Sequence, residues 1–572
     1  MKSNINNSPI VYVVLTYDSL YDDYAEVDVH ELLKGIPTIC ILNFIVQKFN
    51  KVIYSLTNNA KQRMMIHEMG NYIGEEPRKK LRLFLKKYPN VVLVDCYGTL
   101  MLEALALQNY TKIEEDDDSL DLCCDEYEAI YKALLYCNKR WTDLQEKNMK
   151  SQNVIDISLL MDLPIVEFKQ YKDFETQLFK SIKFFEFCEN DTLYSTYLQY
   201  FCRDHNVKNW QEYLIRIFQI LKLGIEKPYI KVNSNNLDDV NFFDQYIINL
   251  NSCNNLWDND NCITYFRDHF LVKMSGHNYM LLNSNLLIDK FYQGMKFDFF
   301  KTLKRHALVN SKGKEINNFS DFSSEIGTRF SEPYLLYSLM KKVFEGRADV
   351  IYTGEQLKSM GVIAEPDLYM RIGQTLFLIE YKDVILSDKV KFSADSEEMK
   401  KAILNRICKY DKGVSKKGVG QLYFTMENIL FHGVFDNIDK DVKDIKNIFP
   451  IIMTTDRSFS ALGVNLLVIE EFKKIMDKHP ITSNVFISIP IIMDMDIIIK
   501  CANRLHGGFW DFGKMLSRYI MQNTNNLIPF NAFILENYLC NSQFDKENMK
   551  FLFTDFIDRL NCSMNDSTKI MA

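Results

Sequence analysis

The sequence predicts an α/β protein in which helices flank a mixed central sheet, preceded by a large, mainly helical N-terminal region. Three observations lead there. Residues 165–223 repeat apolar and aromatic side chains at three- and four-residue intervals. Residues 349–381 hold three short strand-like runs behind a helix-like segment. From there to about residue 460 helical and extended patterns alternate, as in a sheet covered by helices.

At 572 residues the chain exceeds one ordinary domain, and an apolar fraction of 47% supplies substantial cores. The first region, 1–310, opens with an expected strand at Ile10–Leu15 and another at Val91–Val94, followed by an apolar helix through Met101–Leu107. The acids Glu114 to Asp118 lack a turn-forming glycine and liganding spacing, so they read as a solvated loop or helix start and not as a calcium site. Phe174, Leu178, Ile182 and Phe185, then Trp210, Tyr213, Leu214, Ile217 and Leu221, form helical stripes that pack a core more readily than they stack bases. Residues 233–261, rich in Asn and Asp, read as loops around a short helix.

A boundary falls near residue 311, and a second region runs from 311 to 460. Ser323–Phe344 reads as a helix broken locally at Pro333, which places the start of its second part near Ser331. Strands follow at Asp349–Ile351, Asp367–Ile372 and Thr375–Tyr381, the last two joined around Gly373-Gln374. Ser396–Tyr410 and Gly418–Leu430 are helical. Ile448–Met453 is a strand whose Pro450 argues for a sheet edge or an irregular start. In the third region, 461–572, Val464–Lys474 suits strand or helix, Pro480–Ser488 is extended, and Ile489–Cys501 is ambiguous. Phe509–Leu539 is helical with interruptions.

The chemistry concentrates at Glu365-Pro366-Asp367 and Glu380-Tyr381-Lys382. Alternate side chains of a strand share a face, so Glu380 and Lys382 project together while Ile379 and Tyr381 turn away. Asp367 lies a hairpin's length upstream, within reach of the same strand end. Two carboxylates and an ammonium are a poor way to stabilise a core. They are a good way to hold Mg²⁺ against a phosphate, because hard cations take oxygen ligands. A surface Glu–Lys pair with Asp367 capping a turn is the bland alternative. Neither a Ser-His-Asp nor a Cys-His pattern accompanies these residues, His432 is an isolated histidine, and Gly507-Gly508 lacks the lysine of a nucleotide loop. Thr454-Thr455-Asp456 ends an apolar strand, a position from which α/β sites often draw residues.

Ser323 to Glu332, Pro366-Asp367, Glu380-Tyr381-Lys382 and Gln421-Leu422 together resemble the PD-(D/E)XK, or restriction-endonuclease-like, nuclease superfamily. The resemblance spans about residues 320 to 460. It implies that Asp367 and Glu380 bind metal, that Lys382 is the catalytic lysine, and that a glutamate of the preceding helix completes the set. Glu332 fits that last role, with Glu325 its rival. Gln421 matches a glutamine that supports the site or approaches nucleic acid. The implied cofactor is Mg²⁺, with Mn²⁺ able to substitute. The implied activity is hydrolysis of DNA, with endonuclease favoured, in bacterial restriction or anti-phage defence. A catalytically inactive nuclease-fold interaction protein is the competing reading.

Lys389, Lys391, Lys400, Lys401, Arg406, Lys409, Lys412, Lys416 and Lys417 give the segment after the catalytic strand a positive excess. Lys412, Lys416, Lys417 and Gln421 are the expected backbone contacts, with Gly413, Gly418 and Gly420 permitting close approach. The helical N-terminal region is left for a protein partner or a nucleic-acid feature, and a homo-oligomer is admitted. Thirteen scattered cysteines without CxxC pairs read as reduced thiols. No hydrophobic leader and no apolar run of about 18 residues stands in the sequence, so a cytoplasmic protein that does not enter a membrane is expected.

Overall fold

The computed structural model describes residues 13–53, 59–109, 121–149, 153–166, 174–227, 229–249, 253, 256–257, 262–408, 410–411, 415–539 and 545–554. The acidic run at 114–118, Lys412 and the tail beyond 554 lie outside the described residues.

The central sheet has six strands: β1 (Val350–Thr353), β2 (Leu368–Ile372), β3 (Thr375–Lys382), β4 (Asn447–Thr454), β5 (Phe486–Ile487) and β6 (Ile491–Asp494). β1, β2 and β3 form an antiparallel meander, and β4 lies parallel to β3. β4 in turn carries both β5 and β6 in parallel on its far side. The sheet is therefore mixed, as the alternating sequence pattern predicts. A type of strand pairing changes where the connection changes: the β2–β3 hairpin turns at Gly373, whose φ of 56° suits glycine, whereas β3 reaches β4 through a long helical crossover.

Pro450 does not mark an edge. β4 is an interior strand, and Pro450 pairs with Leu378 of β3. Its missing N–H is tolerated because β5 pairs only with Asn447 and Ile448, and β6 only from Ile451 onward. Pro450 thus falls where the neighbour changes hands. The ambiguous run Ile489–Cys501 resolves into both states: β6 ends at Asp494, whose carboxylate accepts the Asp496 N–H and starts the helix Met495–His506. Val464–Lys478 is a helix.

Alternation along β3 assigns the two faces. Leu376 and Leu378 pack with Tyr369, Ile448 and Ile452 against the helices α5 (Ser396–Ile407), α6 (Val419–Phe431) and α7 (Val464–Lys478). Phe377, Ile379 and Tyr381 pack on the opposite face, in a core that also holds Phe184, Phe299 and Phe330. Those residues belong to α1 (Phe174–Asn190), α2 (Gln293–Arg305) and a long helix that begins as α3 (Phe319–Ile326) and ends as α4 (Ser338–Phe344). A separate core gathers residues 15–137 with 248–286. No helix among the described residues is long and apolar enough to cross a membrane.

The long helix is not broken at Pro333. Between α3 and α4, residues Gly327–Tyr337 continue in the wider i→i+5 register with Pro333 inside. The wider turn accommodates a residue that has no N–H and whose ring would crowd the carbonyl four residues back. It also changes the angular phase along the helix, so Glu325 and Glu332, seven residues apart, do not share a face as they would on a regular α-helix.

Candidate active site

The register of the β2–β3 hairpin builds the site. Leu368 pairs with Ile379, so Asp367 stands opposite Glu380 just ahead of β2. Asp367 Oδ2 accepts the Tyr381 N–H at 2.7 Å, which ties the carboxylate to the end of β3. Glu380 and Lys382 project from the face shared with Leu376 and Leu378, as strand alternation requires, and the Lys382 ammonium donates to Glu380 Oε1. Glu380 is 1% exposed, and its second oxygen, Oε2, is buried without a hydrogen-bond partner.

Glu332 joins this group from the i→i+5 segment. Its Oε2 accepts a 3.5 Å contact from the Tyr337 hydroxyl, and its nearest charged neighbours are Asp367, Lys382 and Glu355. Glu325 lies elsewhere: it accepts the Ser311 N–H at 2.9 Å and pairs with Arg329 at 3.3 Å. The structure therefore brings Asp367, Glu380, Lys382 and Glu332 together and leaves Glu325 out.

Three carboxylates share one ammonium, and their protonation reflects it. Burial, reinforced by Asp367, pushes the Glu380 acid up to about 8; Lys382 and the Gly418 N–H oppose the rise. Burial and Asp367 likewise push Glu332 up to about 7. Burial also raises Asp367, against the pull of Lys382 and the Tyr381 N–H. Burial works against the charge on Lys382, but Glu380, Asp367 and Glu332 outweigh it and hold the ammonium above the ordinary lysine value. The site is short of positive charge.

Gln421 takes a supporting position. Its Nε2 donates to the Glu365 carbonyl at 2.5 Å, and Thr425, one turn on along α6, donates to the Ala364 carbonyl at 3.3 Å. Together they hold the chain that delivers Asp367. α6 starts at Gly418, where φ is 58° and ψ is −123°; a Cβ there would stand 1.9 Å from the Ile407 carbonyl oxygen. Only glycine lets α6 begin this close to the site.

The basic segment is partly consumed inside the fold. Lys391 pairs with Asp388 at 3.0 Å, and Lys400 with the buried Asp156 at 2.7 Å. Lys417 is exposed, and Lys416 lies on a two-residue strand paired with Tyr410–Asp411.

Sequence reasoning missed a second cluster at the same end of the sheet. Asp383, next after Lys382, turns to the opposite face and is bound by Lys296, Ser331 and Thr455. Beyond it, Asp496 takes Lys180 at 2.7 Å and Gln177 at 2.7 Å. Only Thr455 carried a signal, through its place at a strand end; Lys180 and Lys296 lie far away in sequence. A cavity of about 210 Å³ adjoins this second cluster, with Gln177, Tyr292, Thr455 and Arg457 among its walls, and none of Glu332, Asp367, Glu380 or Lys382 lines it.

A divalent ion suits the donor chemistry of the first cluster. All three acids offer hard oxygens, Glu380 Oε2 is an orphaned buried acceptor, and the group lacks counter-charge. Among the described residues, however, no three His, Cys, Asp or Glu side chains are arranged as a ready metal cage. One oxygen of Asp367 and one of Glu380 are already engaged, by the Tyr381 N–H and by Lys382. No protein-family profile, curated protein or solved structure matches the chain.

Proposed function

We propose that this protein is a Mg²⁺-dependent nuclease that hydrolyses phosphodiester bonds in DNA, serving bacterial restriction or anti-phage defence. The observation that carries the reading is the convergence of Asp367, Glu380 and Glu332 on Lys382, with Glu380 Oε2 buried and unpartnered. DNA as substrate, the endonuclease mode and the defence role rest on the resemblance to PD-(D/E)XK nucleases.

Asp367, Glu380 and Glu332 would hold the ion, and Mg²⁺, or Mn²⁺ in its place, supplies Lewis-acid stabilisation to the charge that grows on the phosphate. The protein's own contribution is positional. Asp367 is fixed by the Tyr381 N–H, and Gln421 and Thr425 fix the chain before it. Lys382 presents a fully charged ammonium at the same point, suited to stabilising a pentacovalent transition state. Burial and Asp367 push Glu332 up to about 7 in the metal-free protein, so a bound cation would be needed to hold it ionised as a ligand.

The competing reading is an inactive nuclease-fold protein that binds partners. Purified protein incubated with linear, circular and single-stranded DNA, with Mg²⁺ or with chelator, separates the two. Asp367→Ala and Glu380→Ala should abolish cleavage with circular dichroism unchanged, and Lys382→Ala should lose turnover while keeping DNA affinity. Wild-type turnover in either folded carboxylate variant refutes the assignment, and DNA left intact both with Mg²⁺ and with chelator favours the inactive protein.

A further inference from the structure

Asp383 follows Lys382 directly, yet points to the other face of the sheet. Its side chain is 3% exposed, and three donors from separate parts of the chain converge on it. Lys296 of α2 reaches Oδ2 at 3.0 Å, with its own side chain 0% exposed. Ser331, the residue before Glu332, donates to Oδ2 at 2.5 Å. Thr455, just after β4, donates to Oδ1 at 2.5 Å. Tyr292 and Tyr381 enclose the group, and both are buried. One carboxylate therefore clasps the end of β3, the helix segment bearing Glu332, the end of β4 and a helix of the N-terminal region.

We infer that Asp383, neutralised by Lys296, is a positioning residue that sets Lys382 and Glu332 relative to each other. The inference rests on the nuclease reading for its catalytic meaning. The two residues it would position lie on different elements, and each is covalently next to one partner of the Ser331–Asp383 hydrogen bond. Displacement of about 1 Å at such a pair costs about 100-fold in rate when the geometry is catalytic. Breaking a buried ion pair from one side leaves an uncompensated charge, whereas removing both charges relieves that penalty. Stability and catalysis can thus be separated.

The experiment compares full-length Asp383→Ala, Lys296→Met and the double variant, with Ser331→Ala as a milder change in case the single charge variants fail to fold. Turnover on DNA with Mg²⁺ is measured well below each melting temperature. The expected result is a fall of about 100-fold in kcat for Asp383→Ala with KM for DNA within about threefold. The double variant should regain thermal stability over the singles without regaining kcat, and Ser331→Ala should raise the Mg²⁺ requirement. Recovery of kcat in step with melting temperature, or full kcat in Asp383→Ala, overturns the inference. Hydrogen exchange followed by mass spectrometry supplies a readout independent of activity. Loss of protection confined to residues 327–337 and 376–386 in Ser331→Ala and Asp383→Ala supports positioning even if the wild-type chain cleaves nothing, an outcome that would count against the nuclease reading alone. Unchanged exchange in those two segments overturns the positioning role.

Discussion

If Glu332 and Glu380 ligate a divalent ion, the ion must compete with protons, and the competition has a calculable slope. Glu380 is held at about 8 and Glu332 at about 7 by burial and by Asp367. At pH 6.5 such acids are about 3% and about 24% ionised; at pH 8.5 they are about 76% and about 97% ionised. Taken as independent, the doubly ionised fraction rises about 100-fold over that interval, equivalent to about 2.7 kcal/mol of binding. Because both acids are raised above their unfolded values, they favour the folded state most below the ordinary glutamate range. That contribution is lost as pH rises through 7 and 8 in metal-free protein. Bound Mg²⁺ restores it at the upper end. Titration calorimetry with Mg²⁺ at pH 6.5 and 8.5 should show affinity rising by up to about 100-fold, and at pH 7 binding should release about 1.4 protons. Of these two acids Glu380→Gln leaves Glu332, whose ionisation alone would raise the affinity about 4-fold over the same interval. An affinity independent of pH in the wild type, or an undiminished slope in Glu380→Gln, refutes the ligand assignment.

Three further outcomes are expected. Glu332→Gln should raise the Mg²⁺ concentration needed for cleavage and lower the maximal rate, while Glu325→Gln, which alters only the Arg329 and Ser311 contacts, should keep the wild-type metal titration. Gly418→Ala should lower the melting temperature and the cleavage rate together: the backbone strain alone costs about 1–3 kcal/mol, and the new Cβ must also clear the Ile407 carbonyl. A fragment beginning at residue 311 should fail to give a cooperative melting transition, since it leaves Asp383 without Lys296 and Asp496 without Lys180; a sharp transition in that fragment would count against the buried pairs as structural determinants.

The parts of the site that were readable from sequence depend on short-range geometry. Strand alternation put Glu380 and Lys382 on one face, and hairpin length put Asp367 opposite them, so three residues of the group follow from local spacing. Glu332 could be favoured over Glu325 but for an incomplete reason: Pro333 suggested a fresh helix start, whereas the chain keeps its helix by widening the turn. Pro450 misled in a similar way. A proline excludes hydrogen bonding on its N–H side, and an edge is the usual place for that; a neighbour that changes from β5 to β6 leaves the same gap in the middle of a sheet. Ile489–Cys501 was undecidable by composition because β-branched residues run across both a strand and the helix it feeds, with Asp494 as the punctuation. Lys180 and Lys296 had no local signal at all. A lysine on an apolar helix reads as solvated until the fold places a carboxylate beside it.

The two buried lysines explain why the polar groups gather where they do. β3, β4 and β6 run parallel, and their C-terminal ends bring Lys382 and Asp383, Thr455, and Asp494 and Asp496 to one rim of the sheet. Ligands in parallel α/β sheets bind at that rim, because the chain leaves the strands there and side chains are free to face outward. On one face the charge is left uncompensated, and Glu380 and Glu332 are held part-protonated for want of a cation. On the other face Lys296 and Lys180 supply it to Asp383 and Asp496, which are held below the usual carboxylate range despite burial, whereas burial and Asp496 push the adjoining Asp494 up to about 8. The same sheet edge therefore carries two acids neutralised by buried lysines, Asp383 and Asp496, beside acids that are not, Asp494 among them. These two ion pairs tie α1 and α2 to the rim of the sheet. Glu380 and Glu332 are acids that an external cation would stabilise, and this shortage of counter-charge beside Asp367 supports the ion site proposed there.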